Sequence, residues 1–431
     1  MKDWRFATSV FFIAWGVVTC PINSLNAKYF GLQNATIAGL SDHGTFGLLD
    51  QAIPGFNLVE GDETFRYQNQ VFPLKQPGQT IVGSIIYTPL KYVGIEWKHH
   101  YDYASNIITM MTSGVGMAIV ATLLFLISKS YLAPAIFVLG TIAWPYAGVS
   151  HHDIYAMMVG FVAVYLVYCK RYISAGIAAG MTLFFSMLPL TLPLGLGILI
   201  LLITKEVKIL IRYGTGVATG LAPSLVFNYL NFGNPLLFPN LAGKIADTMP
   251  MWDIANFAAH INFYLTDPKS ALWAFSPILL FGIIGYKKLR QTSRMLAYAA
   301  VIIPTLQLLH ICTQQTFGGY QYGPRYLLPT LPLLSLLAAS GWEKLGAWAR
   351  KIFVLLFGYS IFVAAVGAIT TAMYPMPNTP FAPFAQLIYI VSNQLPSYRL
   401  LPAGILLILI GVLTILNGTF KHHNPVGRLD L

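Results

Sequence analysis

The chain has 431 residues, 56% of them hydrophobic and only 10% charged, with a mean hydropathy of +0.64. Soluble globular chains carry about 25% charged residues, so the composition excludes a water-soluble enzyme and any disordered or collagen-like class. A net charge of +11 would suggest nucleic acid in a soluble protein, but in a membrane protein it first reports which loops face the cytoplasm.

In chain order, Lys2, Asp3 and Arg5 open an apolar run that ends near Pro21. No small-residue cleavage site follows it, so it reads as a first membrane helix and not a cleaved signal peptide. A mixed-polarity stretch covers 23–105, and within it 78–94 fits either a membrane helix or an interfacial one lying flat. Eleven further segments are apolar enough to cross the ~30 Å of hydrocarbon: 106–127, 131–148, 154–168, 172–187, 190–204, 211–229, 271–286, 295–313, 327–342, 352–373 and 400–417. Residues 172–204 also fit one long helix, or two turning at Ser186-Met187-Leu188-Pro189. Cys20, Cys169 and Cys312 are too scattered for a disulfide framework or a metal cluster.

Charge arbitrates the sidedness. Twelve spans with the N-terminus inside put 17 of the 26 bases and four of the 15 acids within, a net +13, and leave a net −2 outside. That is the pattern expected of short inner loops. The fold class is therefore an all-α polytopic membrane protein of about 12 transmembrane helices with a long first outer loop. It sits in the cytoplasmic (inner) membrane with both termini cytoplasmic; its partner is the bilayer, and no nucleic acid is expected. Hardly any ionisable residue falls near the middle of a span, which argues against an ion-coupled transporter and places the chemistry at the outer face.

Three outer segments could carry that chemistry. The first loop holds Asp42 and Asp50, then Glu60-Gly61-Asp62-Glu63, then Phe72-Pro73-Leu74-Lys75-Gln76-Pro77-Gly78-Gln79. Each Gly–Asp or Pro–Gly step alone is ordinary turn chemistry. Together they set carboxylates and a lone Lys75 directly before the apolar stretch 81–93, at headgroup depth. His151-His152-Asp153 forms the second segment. It is a weak metal site, because adjacent histidines point apart on a helix and spacing fixes no third ligand. Asp153 as an N-terminal cap is the plainer reading, and a role beside an anionic headgroup is the functional one. The third is Gly318-Gly319-Tyr320-Gln321-Tyr322-Gly323-Pro324-Arg325-Tyr326-Leu327-Leu328-Pro329. Arg325 there is either a snorkelling anchor or a guanidinium fork holding phosphate. Asn231-Phe232-Gly233-Asn234-Pro235-Leu236 reads as a turn after a span.

The long first outer loop, Gly61-Asp62 with Lys75-Gln76-Pro77-Gly78, Phe232-Gly233-Asn234-Pro235-Leu236, and the Gly-Gly…Gly-Pro-Arg-Tyr string at 318–326 together resemble the GT-C superfamily of membrane glycosyltransferases. Within it they look like the dolichyl-phosphate-mannose/protein-mannosyltransferase branch. The resemblance covers about residues 1–345, a catalytic module including outer loop 23–105, and leaves 346–431 as generic C-terminal transmembrane helices. One departure stands out: many members carry an acidic pair just after the first helix, where this chain has Asn23, Ser24 and Asn26.

The resemblance implies a polyprenyl-phosphate-sugar-dependent hexosyl or pentosyl transferase working on an acceptor hydroxyl at the extracytoplasmic face. Asp62 or Asp50 is the expected base; Lys75 and Arg325 are the expected phosphate holders, with His151, His152 and Tyr322 beside them on the donor. The acceptor is a protein, a lipid or a polysaccharide. No metal ligand is assigned, and a divalent metal is left open because no cluster demands one. The competing class is a lipid-linked-sugar flippase or other polytopic transporter, which shares a basic groove but requires symmetric halves and charges within spans. A non-catalytic membrane subunit is a third reading.

Overall fold

The apolar runs form helices because Leu, Ile, Ala and Phe dominate them and acids are nearly absent from them. The computed structural model describes residues 2–29, 31–48, 63–246, 252–316, 322–372, 382–392 and 396–420. Among these residues four helices are long and apolar enough to cross a membrane: Trp97–Ser128, Val207–Phe232, Arg294–Ile311 and Ala347–Ile369. Shorter apolar helices include Trp4–Thr19, His152–Tyr168, Tyr172–Phe185, Thr191–Thr204 and Leu401–Leu416. The chain is thus a multi-pass membrane protein by length and composition.

Several expected spans are built in pieces. Residues 172–204 are the two helices that the separate spans 172–187 and 190–204 anticipate, Tyr172–Phe185 and Thr191–Thr204, because Ser186 leaves helical space at φ −154°, ψ 141°. The segment 131–148 divides into Leu132–Leu139 and Ala143–Ala147. The segment 271–286 is a short helix Leu272–Phe275, a 3₁₀ turn Pro277–Phe281 and the helix Gly282–Thr292. Residues 97–105, expected in the outer loop, instead continue the next span outward as the helix Trp97–Thr109. That helix runs through a π turn, Met110–Gly114, into Val115–Ser128. Trp15 Nε1 donates to the Met110 carbonyl in the π turn at 2.9 Å, tying it to the first helix. The first outer loop also holds the helices Ser24–Tyr29, Gly31–His43 and Pro77–Tyr92, and an antiparallel hairpin pairing Thr64 with Pro73 and Tyr67 with Gln70.

Glycine sets close helix contacts. A Cβ on Gly176 would meet the Tyr213 carbonyl at 2.1 Å, and one on Gly220 would meet the Ile177 carbonyl at 2.1 Å. Gly180 and Gly216 complete this small-xxx-small seam between Tyr172–Phe185 and Val207–Phe232. The last helix, Leu401–Phe420, lies along the first, Lys2–Thr19, where Ser9 Oγ donates to the Gly411 carbonyl at 2.6 Å.

Lys129, Lys170 and Lys205 each follow a helix end with left-handed φ of 55°, 60° and 55°. A base there also suits the negative end of the helix dipole. All three stand at turns that the charge count places inside. The helix His152–Tyr168 has the His-His-Asp tip at its N-terminal end and Lys170 just beyond its C-terminal end, so the tip lies opposite that basic turn.

Candidate active site

Lys75 is set by its neighbours on both sides. The hairpin before it is anchored by aromatic packing: Phe65 and Phe72 stack at 5.9 Å, and Phe232 at the end of Val207–Phe232 lies 5.3 Å from Phe72. Tyr67 Oη donates to the Phe232 carbonyl at 2.8 Å. Gly233 then turns the chain with φ +68°, which an L side chain resists. After Lys75, Pro77 starts the helix Pro77–Tyr92 at N1, where its missing N–H is harmless. Gly78 lets that helix approach the Phe184 carbonyl, which an added Cβ would meet at 2.6 Å. The Lys-x-Pro-Gly string is therefore a device for pressing Lys75 against the break at Ser186. Lys75 Nζ itself pairs with Glu63 at 2.8 Å.

His151 and Asp153 exchange the roles expected of them. His151 is the N-cap of His152–Tyr168, and its Nδ1 accepts from the Asp153 N–H at 3.2 Å. Asp153 does not cap. Its Oδ1 accepts from Ser186 Oγ at 2.8 Å and lies 3.4 Å from His152 Nε2. The two histidines do not point apart either: their rings stack at 4.3 Å with planes 24° apart. The reason is that His151 is extended, at φ −110° and ψ 126°, and the helix begins only at His152. Beneath them Ser113, in the π turn, accepts from the His151 N–H at 3.2 Å. Burial, joined by the nearby His152, Arg325 and Lys75 against the opposing pull of Asp153, holds the His151 ring well below the ordinary imidazole range.

Arg325 reaches the same point from the third segment. Gly323 (φ +73°) turns the chain, and a Cβ there would meet the Phe275 ring at 3.0 Å. Arg325 is 7% exposed. Its Nε lies 3.7 Å from Asp153 Oδ2, its Nη1 lies 3.3 Å from His151 Nε2, and its guanidinium sits over the Tyr326 ring at 5.3 Å. Gln307 braces this strand of chain, donating from Nε2 to the Leu188 and Tyr326 carbonyls, both at 3.1 Å.

Lys75, His152, Asp153 and Arg325 line one cavity of about 160 Å³, together with Gln76, Ser186, Asn240, His310, Gln314 and Tyr326. The side chains of Gln76, His152, Asp153 and Arg325 are all buried, and each carries a polar atom without a hydrogen-bond partner: Oε1, Nδ1, Oδ2 and Nε. Two of these, Asp153 Oδ2 and Arg325 Nε, face each other at 3.7 Å, which leaves Gln76 Oε1 and His152 Nδ1 as buried groups without a polar partner in residues that line the cavity.

Of the residues singled out in the sequence, Lys75, His152 and Arg325 meet here, with His151 directly behind. Tyr322 does not belong with them. Its ring is fully buried against Phe275 at 5.3 Å, and its hydroxyl donates to the Val363 carbonyl at 2.5 Å. It fixes the loop to the core and leaves no group free for a donor lipid. Asp50 and Asp62 lie outside the described residues. Asp42 pairs with Lys91 at 2.7 Å on an exposed surface. Sequence reasoning passed over Ser186, Gln76, Asn240, His310 and Gln314; only the Ser-Met-Leu-Pro break hinted at Ser186, and amides carry no signature.

His151, His152 and Asp153 present ligand atoms within 4.8 Å of one another. Two imidazole nitrogens and a carboxylate suit a borderline divalent ion such as Zn²⁺ or Mn²⁺. His152 Nδ1, which has no hydrogen-bond partner, fits that use, whereas Asp153 Oδ2 already faces Arg325 Nε.

No family model matches the sequence, and no curated protein matches it. Among solved structures, ArnT from Cupriavidus metallidurans bound to undecaprenyl phosphate is similar over 96% of this chain and 75% of that one, at 12% identity and a TM-score of 0.49. The archaeal oligosaccharyltransferase AglB from Archaeoglobus fulgidus, in complex with an inhibitory peptide and a dolichol-phosphate, is similar over 92% of this chain and 60% of that one, at 13% identity and a TM-score of 0.46. A likeness of this degree does not carry a function; the side chains have to.

Proposed function

We propose that the chain is a membrane glycosyltransferase that moves a sugar from a polyprenyl-phosphate carrier to an acceptor hydroxyl at the extracytoplasmic face. The observation that supports it is the meeting of Lys75 and Arg325, from two distant segments, in the wall of one cavity beside His152 and Asp153. An ammonium and a planar guanidinium suit a lipid phosphate, and the apolar helices around them suit its chain. The cavity lies at the end of His152–Tyr168 away from Lys170, in keeping with an outer site.

In the transfer, the acceptor oxygen bonds to the anomeric carbon while the carbon–oxygen bond to phosphate breaks. The electron pair leaves with the lipid phosphate, where Lys75 and Arg325 stabilise it. The acceptor proton passes to a carboxylate, for which Asp62 or Asp50 is the expected residue. A single base acting without a covalent intermediate inverts the sugar's configuration. Asp153 serves a different purpose: with Oδ1 held by Ser186 and Oδ2 facing Arg325, it orients the guanidinium. A divalent ion held by His152 and Asp153 would add positive charge beside the phosphate.

The test is mass spectrometry of the glycans and lipids of a deletion strain complemented with wild type, Arg325→Ala or Asp62→Asn. One sugar modification is expected to be missing from the deletion and from both variants, with each protein still present in the membrane. Full transfer by both variants overturns the assignment. Build-up of sugar-loaded carrier on the inner leaflet, with Asp62→Asn fully active, would instead indicate transport.

A further inference from the structure

Lys75 and Arg325 both line the cavity, but their counter-ions are of opposite kinds. Arg325 faces Asp153, which is buried and fixed: its Oδ1 accepts from Ser186 Oγ at 2.8 Å, and its Oδ2 lies 3.7 Å from Arg325 Nε. Lys75 pairs with Glu63 at 2.8 Å, and the glutamate side chain is 48% exposed while that of the lysine is 16% exposed. The backbone holds Lys75 on both sides. Where the hairpin closes, the Leu74 N–H donates to the Glu63 carbonyl at 2.7 Å, and the helix Pro77–Tyr92 begins two residues after Lys75. The Glu63 carboxylate, half in water, can leave Lys75 at little cost, because an exposed ion pair is a weak one. Asp153 has no such exit, since parting from Arg325 would strand a buried charge. Glu63 also takes a left-handed backbone, φ 57°, a conformation that costs energy in a non-glycine residue and recurs at ligand clamps and switches.

We infer that Glu63 is an exchangeable counter-ion: it pairs with Lys75 between turnovers, yields the lysine to the phosphate of an arriving lipid, and reclaims it as the spent lipid phosphate leaves. The inference rests on the glycosyltransferase reading and adds to it a control on loading and release. No covalent bond changes in the exchange; one ammonium trades one anionic partner for another. The need for it follows from the charge of the two lipids. A sugar-loaded carrier is a phosphodiester with one negative charge, whereas the spent carrier is a monoester with about −1.5 to −2 at neutral pH. Two cations alone would therefore hold the product more tightly than the donor, and tight product binding slows turnover. A carboxylate beside them opposes the more highly charged monoester most. Arg325 also acts on the Glu63 carboxylate, so the charge of Glu63 is felt at both cations and not at Lys75 alone.

The experiment measures binding to the full chain in nanodiscs by native mass spectrometry, with polyprenyl phosphate and its methyl diester as probes. Glu63→Gln is expected to bind the monoester about 2- to 5-fold more tightly than wild type, the range set by an exposed ion pair that no longer competes, and to gain less on the diester. Glu63→Asn, equally neutral and tolerant of positive φ, should do the same, which separates the charge from any backbone effect. Lys75→Ala should weaken both lipids, and adding Glu63→Gln to it should recover less than Glu63→Gln gains in the wild-type background. A glutamate that merely positioned Lys75 would give the opposite sign, because its loss would weaken binding. If both neutral variants bind the monoester no more tightly than wild type, or gain equally on the two lipids, the inference is overturned and the phosphate site stands. A gain undiminished by Lys75→Ala would overturn it as well. If wild type binds neither lipid, the transferase reading itself falls and the exchange with it.

Discussion

The helix Tyr172–Phe185 passes through two kinds of environment. Along its length it meets Val207–Phe232 through glycines, backbone against backbone, with no room for a Cβ. One residue beyond its end, Ser186 lines a cavity together with buried, charged and polar side chains. The seam gains from close packing and has nothing left to offer a ligand. The cavity gives up packing and hydrogen bonds to keep groups available. Stability and chemistry are thus segregated along one helix, and the distinction can be tested from both sides.

The largest effect is expected at the seam. Gly220→Leu forces a side chain into the Ile177 carbonyl, and overpacking of this kind costs about 1–3 kcal/mol or more. Thermal unfolding in detergent should show a marked drop in midpoint or loss of folded protein. An unchanged midpoint would mean that the seam is not what holds these helices.

At the cavity the order reverses: folding should survive and turnover should not. On the proposed transfer reading, Arg325→Ala removes the guanidinium that would stabilise the departing phosphate, and the loss of one such group costs about 10²–10³ in kcat. Arg325→Lys keeps charge but loses the fork, and should recover only part of it. Sugar transfer followed by mass spectrometry measures both. Asp153→Asn should follow with a smaller loss, because it releases Arg325 without discharging it. Equal damage to the unfolding midpoint in these variants would erase the distinction between scaffold and site.

How much of this could be read from the sequence follows the same division. Apolar runs gave the membrane class, because burial in lipid is written residue by residue; the placement of Lys129, Lys170 and Lys205 gave an expectation of sidedness. Lys75 and Arg325 were legible as bases set among Pro and Gly. Their meeting was not, since it depends on the hairpin, the Phe232 turn and the break at Ser186 coming together. The histidine pair was misjudged for a local reason: helix geometry was assumed one residue too early, and the extended N-cap at His151 stacks two rings that a helix would separate. Tyr322 was misjudged because its motif is shared by a site residue and a core residue, and only packing tells them apart. Gln76 and Asn240 were invisible because amides are ordinary in loops.

Gln307 is a buried amide on Arg294–Ile311 that does not itself line the cavity but holds the Leu188 and Tyr326 carbonyls of two lining segments. Gln307→Leu should lower kcat about tenfold by loosening Arg325. The apparent affinity for bare polyprenyl phosphate should change less, and Gln307→Glu, which cannot donate to carbonyls, should fail to rescue. A purely structural role would instead move the unfolding midpoint and both parameters together.

The smallest effect is expected at Glu63, whose partner Lys75 faces the cavity. The charge of Lys75, against the opposing effect of burial and with added help from its hydrogen bond and from Arg325, lowers the Glu63 carboxyl below its ordinary range. A carboxylate with a depressed native pKa stabilises the fold at pH above its unfolded value, and that contribution fades as pH falls through the native one. Because the Glu63 side chain is 48% exposed, the pair is worth less than about 1 kcal/mol. Glu63→Gln should therefore unfold slightly earlier than wild type at neutral pH, and the gap should close in acid below the usual carboxylate range. A large gap, or one that widens in acid, would show that ion pairing braces the polar end as firmly as glycine contact braces the seam, and the two would no longer differ in kind.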